Sequence, residues 1–290
     1  MSLAGAALVS AESILALTPV AIKKTPLDPT SAIWSRILSS AFLGYTVSKE
    51  HTIKPSEMAS ATALGYTNLL HIATSYESFR NLPAGQAMSL LYTYPFWNLV
   101  LAHLFTDEQI NMKQIMIMGA ASIGSVLLNM DPGIAAPTAL GREANSQWGI
   151  FMGLVMALTE SGMHAILKGL DWLDPAKSVW VVNSSAAICF GLALLAQSVL
   201  IGDSPTFHLK GTWWDAVILT LFHGMTLFSG YWLRFYAVPR LSTVVYSALS
   251  YAGLLASYMF GLLFLRESPG WMSLVGAIVI VSSGLMLSHE

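Results

Sequence analysis

The chain has 290 residues, of which 54% are hydrophobic and only 10% are charged, and its formal net charge at pH 7 is −2. Soluble domains carry about 25% charged residues, so this composition excludes an ordinary soluble protein and predicts an all-α integral membrane protein. The small net charge, with no run of like charges as long as four residues, argues against nucleic acid as a partner.

Ten stretches of about 20 mostly apolar residues are predicted to be transmembrane helices, since a helix of that length crosses a bilayer. The first stretch lacks the basic residues that precede the apolar core of a signal peptide, so it is predicted to remain as an uncleaved helix. In chain order the ten lie at 3–22, 31–48, 56–76, 83–104, 112–130, 148–168, 177–201, 212–234, 240–264 and 271–288.

Residues 131–147 are rich in Pro, Gly and Ala, which predicts a linker between two halves of the chain, 1–130 and 148–290. The halves share patterns: AESILALTPVAIKKTPLDP at 11–29 resembles TESGMHAILKGLDWLDP at 159–175, and 83–128 resembles 239–287. Two copies of an odd number of helices must cross the membrane in opposite directions. The sequence therefore predicts two inverted five-helix repeats.

Glu12 and Glu160 lie near the middle of the first predicted helix of each half. A charged carboxylate at that depth costs at least about 2.5 kcal/mol on insertion scales and marks a functional site by default. Because an inverted repeat maps the membrane midplane onto itself, both side chains are predicted to face one central cavity and to bind protons or a cationic substrate. A role in helix packing alone is the alternative.

His164 and Lys168 follow Glu160 at intervals of four residues, so the three share one helix face. His164 is a candidate proton relay, and the alternative is that both bases lie at the membrane edge. No cluster of His, Cys and Asp completes a metal site, and the single cysteine, Cys189, excludes an internal disulfide. Neither a metal nor another cofactor is predicted.

Mid-span aromatic and polar residues are further candidates for the cavity wall. Aromatic rings beside a carboxylate suit an organic cation through cation–π contacts, whereas packing or lipid contact is the alternative for each ring. Arg36 is either an anion contact or an edge anchor, while Arg80 and Arg234 are predicted to face loops. The additional candidates for substrate or proton binding are Tyr94, Asn98, Tyr251, Tyr258, Asn68, His71 and His223.

The two half-patterns resemble the EamA-like, ten-helix members of the drug/metabolite transporter superfamily, especially LSTVVYSALSYAGLLASYMFGLLFLRESPGWMSLVGAIVIVSSGLML at 241–287. The resemblance implies a cavity between the halves, cytoplasmic termini and alternating access. Glu160 with Lys168 eight residues later is also similar to the first helix of small multidrug resistance transporters, in which the glutamate binds protons or cations. No lysine stands eight residues after Glu12.

These features predict a secondary active transporter, specifically a proton-coupled antiporter of a small metabolite or organic cation. An amino-acid or neutral-metabolite exporter or uniporter is the close alternative, a nucleotide-sugar carrier is a weaker one, and a membrane scaffold subunit is the non-transport alternative. The sequence contains no phosphate-binding loop, no zinc-protease motif and no serine-hydrolase motif, so an enzyme is not predicted. Expected partners are the substrate, protons and the bilayer, with a homodimer possible. Lys and Arg are divided evenly between the two sides, so neither the orientation nor the membrane is predicted.

Overall fold

The computed structural model describes residues 2–24, 27–105, 110–129, 145–170, 174–202, 212–266 and 270–288. Within them the chain forms twelve α-helices. The first half contains α1 (Leu3–Leu15), α2 (Thr18–Lys24), α3 (Pro29–Val47), α4 (Met58–Asn81), α5 (Ala84–Leu91), α6 (Tyr94–Phe105) and α7 (Met112–Asn129). The second half contains α8 (Ser146–Lys168), α9 (Pro175–Ile201), α10 (Trp213–Ala237), α11 (Thr243–Phe260) and α12 (Trp271–Ser288).

All ten predicted spans are helical, but two were wrongly predicted to be continuous. The first breaks into α1 and α2 at a turn before Thr18-Pro19, and the fourth breaks into α5 and α6 before Tyr94-Pro95. Proline lacks an amide hydrogen and its ring clashes with the carbonyl four residues earlier, so each proline stands near the start of a new helix. The predicted acidic loops at Glu108 and Glu267, and residues 131–144 of the predicted linker, lie outside the described residues.

Polar side chains in front of the helices fix where several of them begin. Asp28, Asn145, Asp174 and Ser242 accept hydrogen bonds from backbone amides in the first turns of α3, α8, α9 and α11. Such caps satisfy amides that have no partner inside the helix. Asp28 and Asp174 each precede a proline at the first helical position, where the missing amide costs nothing.

The most extensive helix contacts join the first half of the chain to the second. α1 packs against α10 and α11, and reciprocally α8 packs against α4, α5 and α6. α3 packs against α10, and reciprocally α9 packs against α4. α3 also packs against α9, and α7 packs against α12. Each of these contacts recurs when the halves are exchanged, which is the pattern expected of two related halves. The arrangement places α1 and α8 at the centre.

The hydropathy of the helices agrees with a bundle that crosses a membrane. Within the described ranges, five segments are long and apolar enough to cross a bilayer: Leu3–Lys24, Ser146–Lys168, Pro175–Leu200, Trp213–Arg240 and Thr243–Leu265. The helices at Met112–Leu127 and Trp271–Leu287 are apolar but shorter. α4 is more polar because it turns Asn68, His71 and Ser75 towards the centre, where all three are buried. Large apolar side chains such as Phe42, Leu192 and Ile278 cover the outside, where lipid replaces water.

Candidate functional site

A buried ion cluster joins the two halves at the centre of the molecule. Arg234 on α10 donates from Nε to Oε1 of Glu12 on α1 at 2.8 Å, and from Nη1 to Oε1 of Glu160 on α8. The exposed fractions of Glu12, Glu160 and Arg234 are 1%, 3% and 5%. A guanidinium has five donors in a rigid plane, so Arg234 can bind two carboxylates in fixed directions and still donate to a third group.

The break between α5 and α6 supplies two tyrosines to this cluster. Tyr92, in the break, donates its hydroxyl hydrogen to Oε2 of Glu12 at 2.8 Å. Tyr94, the first residue of α6, accepts a hydrogen bond from Nη2 of Arg234 at 3.2 Å. Gly253 on α11 makes room for this arrangement, because a β-carbon there would overlap the Tyr92 hydroxyl.

Glu160 has a second basic neighbour on α4. Nδ1 of His71 lies 3.3 Å from Oε2 of Glu160 and also 3.3 Å from the carbonyl oxygen of Met156. Oε2 itself has no hydrogen-bond partner among the described residues. The imidazole is therefore close enough to pair with Glu160 when it is protonated, and Oε2 is available to a proton or to another donor.

Arg36 on α3 contributes a second buried positive charge. Its Nη2 donates to the hydroxyl of Tyr231 on α10 at 3.0 Å, whereas Nη1 has no hydrogen-bond partner among the described residues. Arg36 lines the same cavity as Glu12, Glu160 and Arg234. The formal charges of the two glutamates and the two arginines around this cavity therefore sum to zero.

The cavity is small. Its volume is about 40 Å³, and beyond the charged groups it is walled by apolar residues such as Leu15, Phe79 and Met88. One water needs roughly 10–15 Å³ of such space, whereas pockets for small organic molecules measure about 300–1,000 Å³. The cavity as it stands accommodates a few waters and no metabolite, and in this sense alone we call the conformation closed.

The structure brings together four of the residues that the sequence singled out: Glu12, Glu160, His71 and Tyr94. The other six lie outside the cavity wall. Asn68 donates to Asn183 of α9 at 3.4 Å, and Tyr258 lies 3.0 Å from the hydroxyl of Ser89. Tyr251 packs on Tyr92, His164 packs on Tyr246, and Asn98 and His223 are buried elsewhere in α6 and α10.

Sequence reasoning missed Arg234, Tyr92 and Tyr231. The prediction that Arg234 faces a loop is wrong, because the eighth span was ended at that residue, whereas α10 continues to Ala237. The apolar run FYAV directly after Arg234 was the available signal. Arg80, in contrast, is partly exposed near the end of α4, 3.9 Å from Glu77. Within the residues that the structure describes, no three His, Cys, Asp or Glu side chains gather around one possible metal position.

Comparisons with known proteins agree with this architecture. A model of the EamA-like transporter family matches residues 3–130. An uncharacterized transporter of Synechocystis sp. (strain ATCC 27184 / PCC 6803 / Kazusa) is 19% identical over 232 residues, which are 79% of this chain and 66% of that protein. The match thus spans slightly less than two thirds of that relative.

A solved structure described as "Crystal structure of protein" shares the fold. It superimposes with a TM-score of 0.73 at 13% identity, and the match covers 99% of this chain and 98% of that one. Together with the sequence matches, this similarity over the full length confirms the all-α membrane fold. The chain is therefore a multi-pass membrane protein whose residues 3–130 match the EamA-like transporter family.

Proposed function

We propose that this protein is a secondary active transporter that exchanges protons for a small metabolite bearing a cationic amine, by alternating access. The observation that carries the proposal is the sharing of Arg234 between Glu12 and Glu160, at a closed centre where both halves meet. A buried ion pair is weak evidence for a purely stabilising role, because desolvation offsets much of the Coulomb attraction. A scaffold subunit has no need for such a cluster.

The mechanism follows from competition for the two carboxylates. In the closed conformation Arg234 neutralises part of their charge and holds α10 against α1 and α8. A proton or a substrate ammonium that binds a carboxylate weakens its bond to Arg234. The ion pairs that join α10 to α1 and α8 then weaken, and the halves can separate on one side of the membrane. Because proton and amine compete for the same oxygens, their movements are coupled.

A zwitterionic substrate, such as an amino acid, is a second candidate, and Arg36 favours it. Its Nη1 has no hydrogen-bond partner among the described residues and its side chain lines the cavity beside the glutamates. A substrate carboxylate can bind there while the ammonium binds Glu12 or Glu160. A nucleotide sugar fits less well, since the charges of two arginines and two glutamates cancel and leave no excess positive charge for phosphates.

The test is transport by purified protein in proteoliposomes with an imposed pH gradient. Radiolabelled monoamines, polyamines and amino acids serve as separate probes. We expect one probe class to accumulate against its gradient, and Glu12→Gln or Glu160→Gln to reduce the initial rate by about tenfold or more, which corresponds to roughly 1.4 kcal/mol. Glu77→Gln is the matched control, because Glu77 lies outside the cavity and is expected to leave the rate unchanged.

Amine transport that persists at the normal rate in the Glu12→Gln, Glu160→Gln double variant contradicts the mechanism. Uptake of a probe without any response to the pH gradient retains the transporter but rejects proton coupling. If amino acids accumulate and monoamines do not, Arg36→Gln is expected to abolish the preference.

A further inference from the structure

Three buried polar side chains near the cluster have no hydrogen-bond partner among the described residues. Both ring nitrogens of His164 on α8, both amide atoms of Asn98 on α6 and the hydroxyl of Ser247 on α11 are unsatisfied. Their exposed fractions are 5%, 2% and 0%. Buried polar groups are nearly always paired, because one left unpaired loses its hydrogen bonds to water without replacement. Packing alone gives no reason for polar residues here.

Helix register places these groups on one side of Glu160. Ser161 donates its hydroxyl hydrogen to the carbonyl oxygen of Tyr94 at 2.9 Å, so α6 and α8 run alongside each other at that level. Gly149 meets Leu82 and Gly153 meets Leu90, which shows that the fourth span and α8 run in the same direction. Asn98, one turn beyond Tyr94, therefore lies at the level of His164, one turn beyond Glu160.

α11 runs in the opposite direction past the same level. Lys168, at the end of α8, donates to the Thr243 hydroxyl at 2.7 Å, and the ring of His164 lies 4.3 Å from that of Tyr246. Ser247 directly follows Tyr246. Along the helix axes the three unsatisfied side chains, His164, Asn98 and Ser247, thus lie between Glu160 and the face of the protein at which α8 ends, and we call these three residues the polar strip.

The cavity extends from the ion cluster towards the opposite face. Its wall includes Phe79 and Met156, which lie nearer the start of α8, and none of the three residues of the polar strip. Arg234 lines the cavity and donates to Tyr94, which is one turn before Asn98 of the strip. The closed conformation therefore has a residual cavity on one side of the cluster and a collapsed row of polar groups on the other.

We propose that the polar strip is the wall of a second access pathway, which admits water and small hydrogen-bonding solutes to Glu160 from the face at which α8 ends. In the closed conformation this pathway is collapsed, and its polar groups regain partners when water enters. The inference rests on the proposed alternating access and adds the side chains that line one of its two openings.

Cysteine accessibility tests this assignment without knowledge of the substrate. In a Cys189→Ser background, which removes the one native cysteine, single cysteines replace Asn98, His164 or Ser247. The probe is MTSET, a membrane-impermeant cationic thiol reagent, applied separately to each face of membrane vesicles. Ser247→Cys changes a single atom and is the variant least apt to disturb folding. Adjacent apolar positions, Leu99→Cys and Met163→Cys, are matched controls because both are as deeply buried, with exposed fractions of 1%.

We expect MTSET to modify the three strip positions from the face at which α8 ends, and not from the other face, while both controls stay unmodified. Ser75→Cys reports the cavity on the opposite side, because Ser75 lines it, and is expected to react only from the opposite face. Labelling of Ser75→Cys without labelling of the strip overturns the second pathway and leaves the proposed transporter intact. No labelling at any of these positions contradicts alternating access itself, and equal labelling of strip and controls shows local unfolding and also overturns the pathway.

Discussion

Arg234 is the arginine that binds both central carboxylates directly. Removing it leaves Glu12 and Glu160 buried with Tyr92 and His71 as their remaining close polar neighbours. Breaking a buried ion pair by removing one partner costs about 3–5 kcal/mol, because the remaining charge stays desolvated. We expect Arg234→Met to lower the free energy of unfolding by about that amount, measured by SDS titration of the detergent-solubilised protein.

The matched control for Arg234→Met is Arg240→Met, six residues further on, where the arginine is exposed and stacks on Tyr236 at 4.0 Å. That change is expected to cost less than about 1 kcal/mol. Adding Glu12→Gln to Arg234→Met is expected to restore part of the lost stability, since one uncompensated charge disappears. Equal effects of the two arginine changes, or no recovery in the double variant, rule out a charge-balanced cluster.

The two glutamates could be predicted from the sequence, and their principal partner could not. A carboxylate in the middle of an apolar run is visible in any hydropathy window. Arg234 stands three residues from the end of its helix, so a window that stops at the first charge assigns it to a loop. Two buried glutamates require a nearby cation, but this requirement alone does not identify which arginine or lysine supplies it.

At the scale of elements, the short connection between α3 and α4 is held against the start of α9. Asp174 accepts hydrogen bonds through Oδ2 from the hydroxyl of Ser48 at 2.8 Å and the amide of Lys49 at 3.0 Å, and through Oδ1 from the amide of Ala176 at 2.9 Å. Partial burial raises the pKa of Asp174, but these donors outweigh it, and the net pKa lies below the ordinary value.

A depressed pKa in the folded state has a definite consequence for stability. The stabilisation from Asp174 is fully present above the ordinary pKa of about 3.9 and is lost as the pH falls through the lower value in the folded state. We therefore expect Asp174→Asn to lower the melting temperature at pH 7, and the difference from the wild type to shrink as the pH falls below about 4. Asp28→Asn, the equivalent cap before Pro29 on α3, serves as the comparison. A difference that stays constant or grows on acidification contradicts the role given to the ionised carboxylate.

The helices themselves were largely predictable, and their interruptions were not. Twenty-residue apolar runs and capping residues locate the spans to within a few positions, because the bilayer imposes one length and one polarity on all of them. Pro19 and Pro95 were visible in the sequence, but proline is tolerated within many membrane helices when neighbours satisfy the freed backbone groups. Only the packed structure shows that both breaks fall beside Glu12 and Tyr94.

At the scale of the whole molecule, residues 1–130 and 145–290 are interlocked, which means that the helices of each part pack mainly against helices of the other. The most extensive helix contacts join one part to the other, through α4–α8, α3–α9, α1–α10 and α7–α12, whereas contacts within each part are fewer. Some of these contacts leave no spare space: a β-carbon on Gly65 of α4 would overlap Ser185 of α9. The two halves therefore stabilise each other around one shared core.

Interlocking predicts the behaviour of a divided chain. We expect residues 1–130 and 145–290, expressed together as separate fragments, to assemble in the membrane, because van der Waals packing across the existing helix contacts does not require a covalent connection. A tag on the first fragment is expected to recover the second in equal amount from mild detergent, whereas each fragment expressed alone is expected to aggregate or be degraded. The control is a division inside α8 after Ala157, which separates Glu160 from the first turns of its own helix and is expected to prevent assembly. Stable, monodisperse isolated fragments contradict the interlocked core, and recovery of both divided pairs alike shows that the α4–α8 contact does not determine assembly.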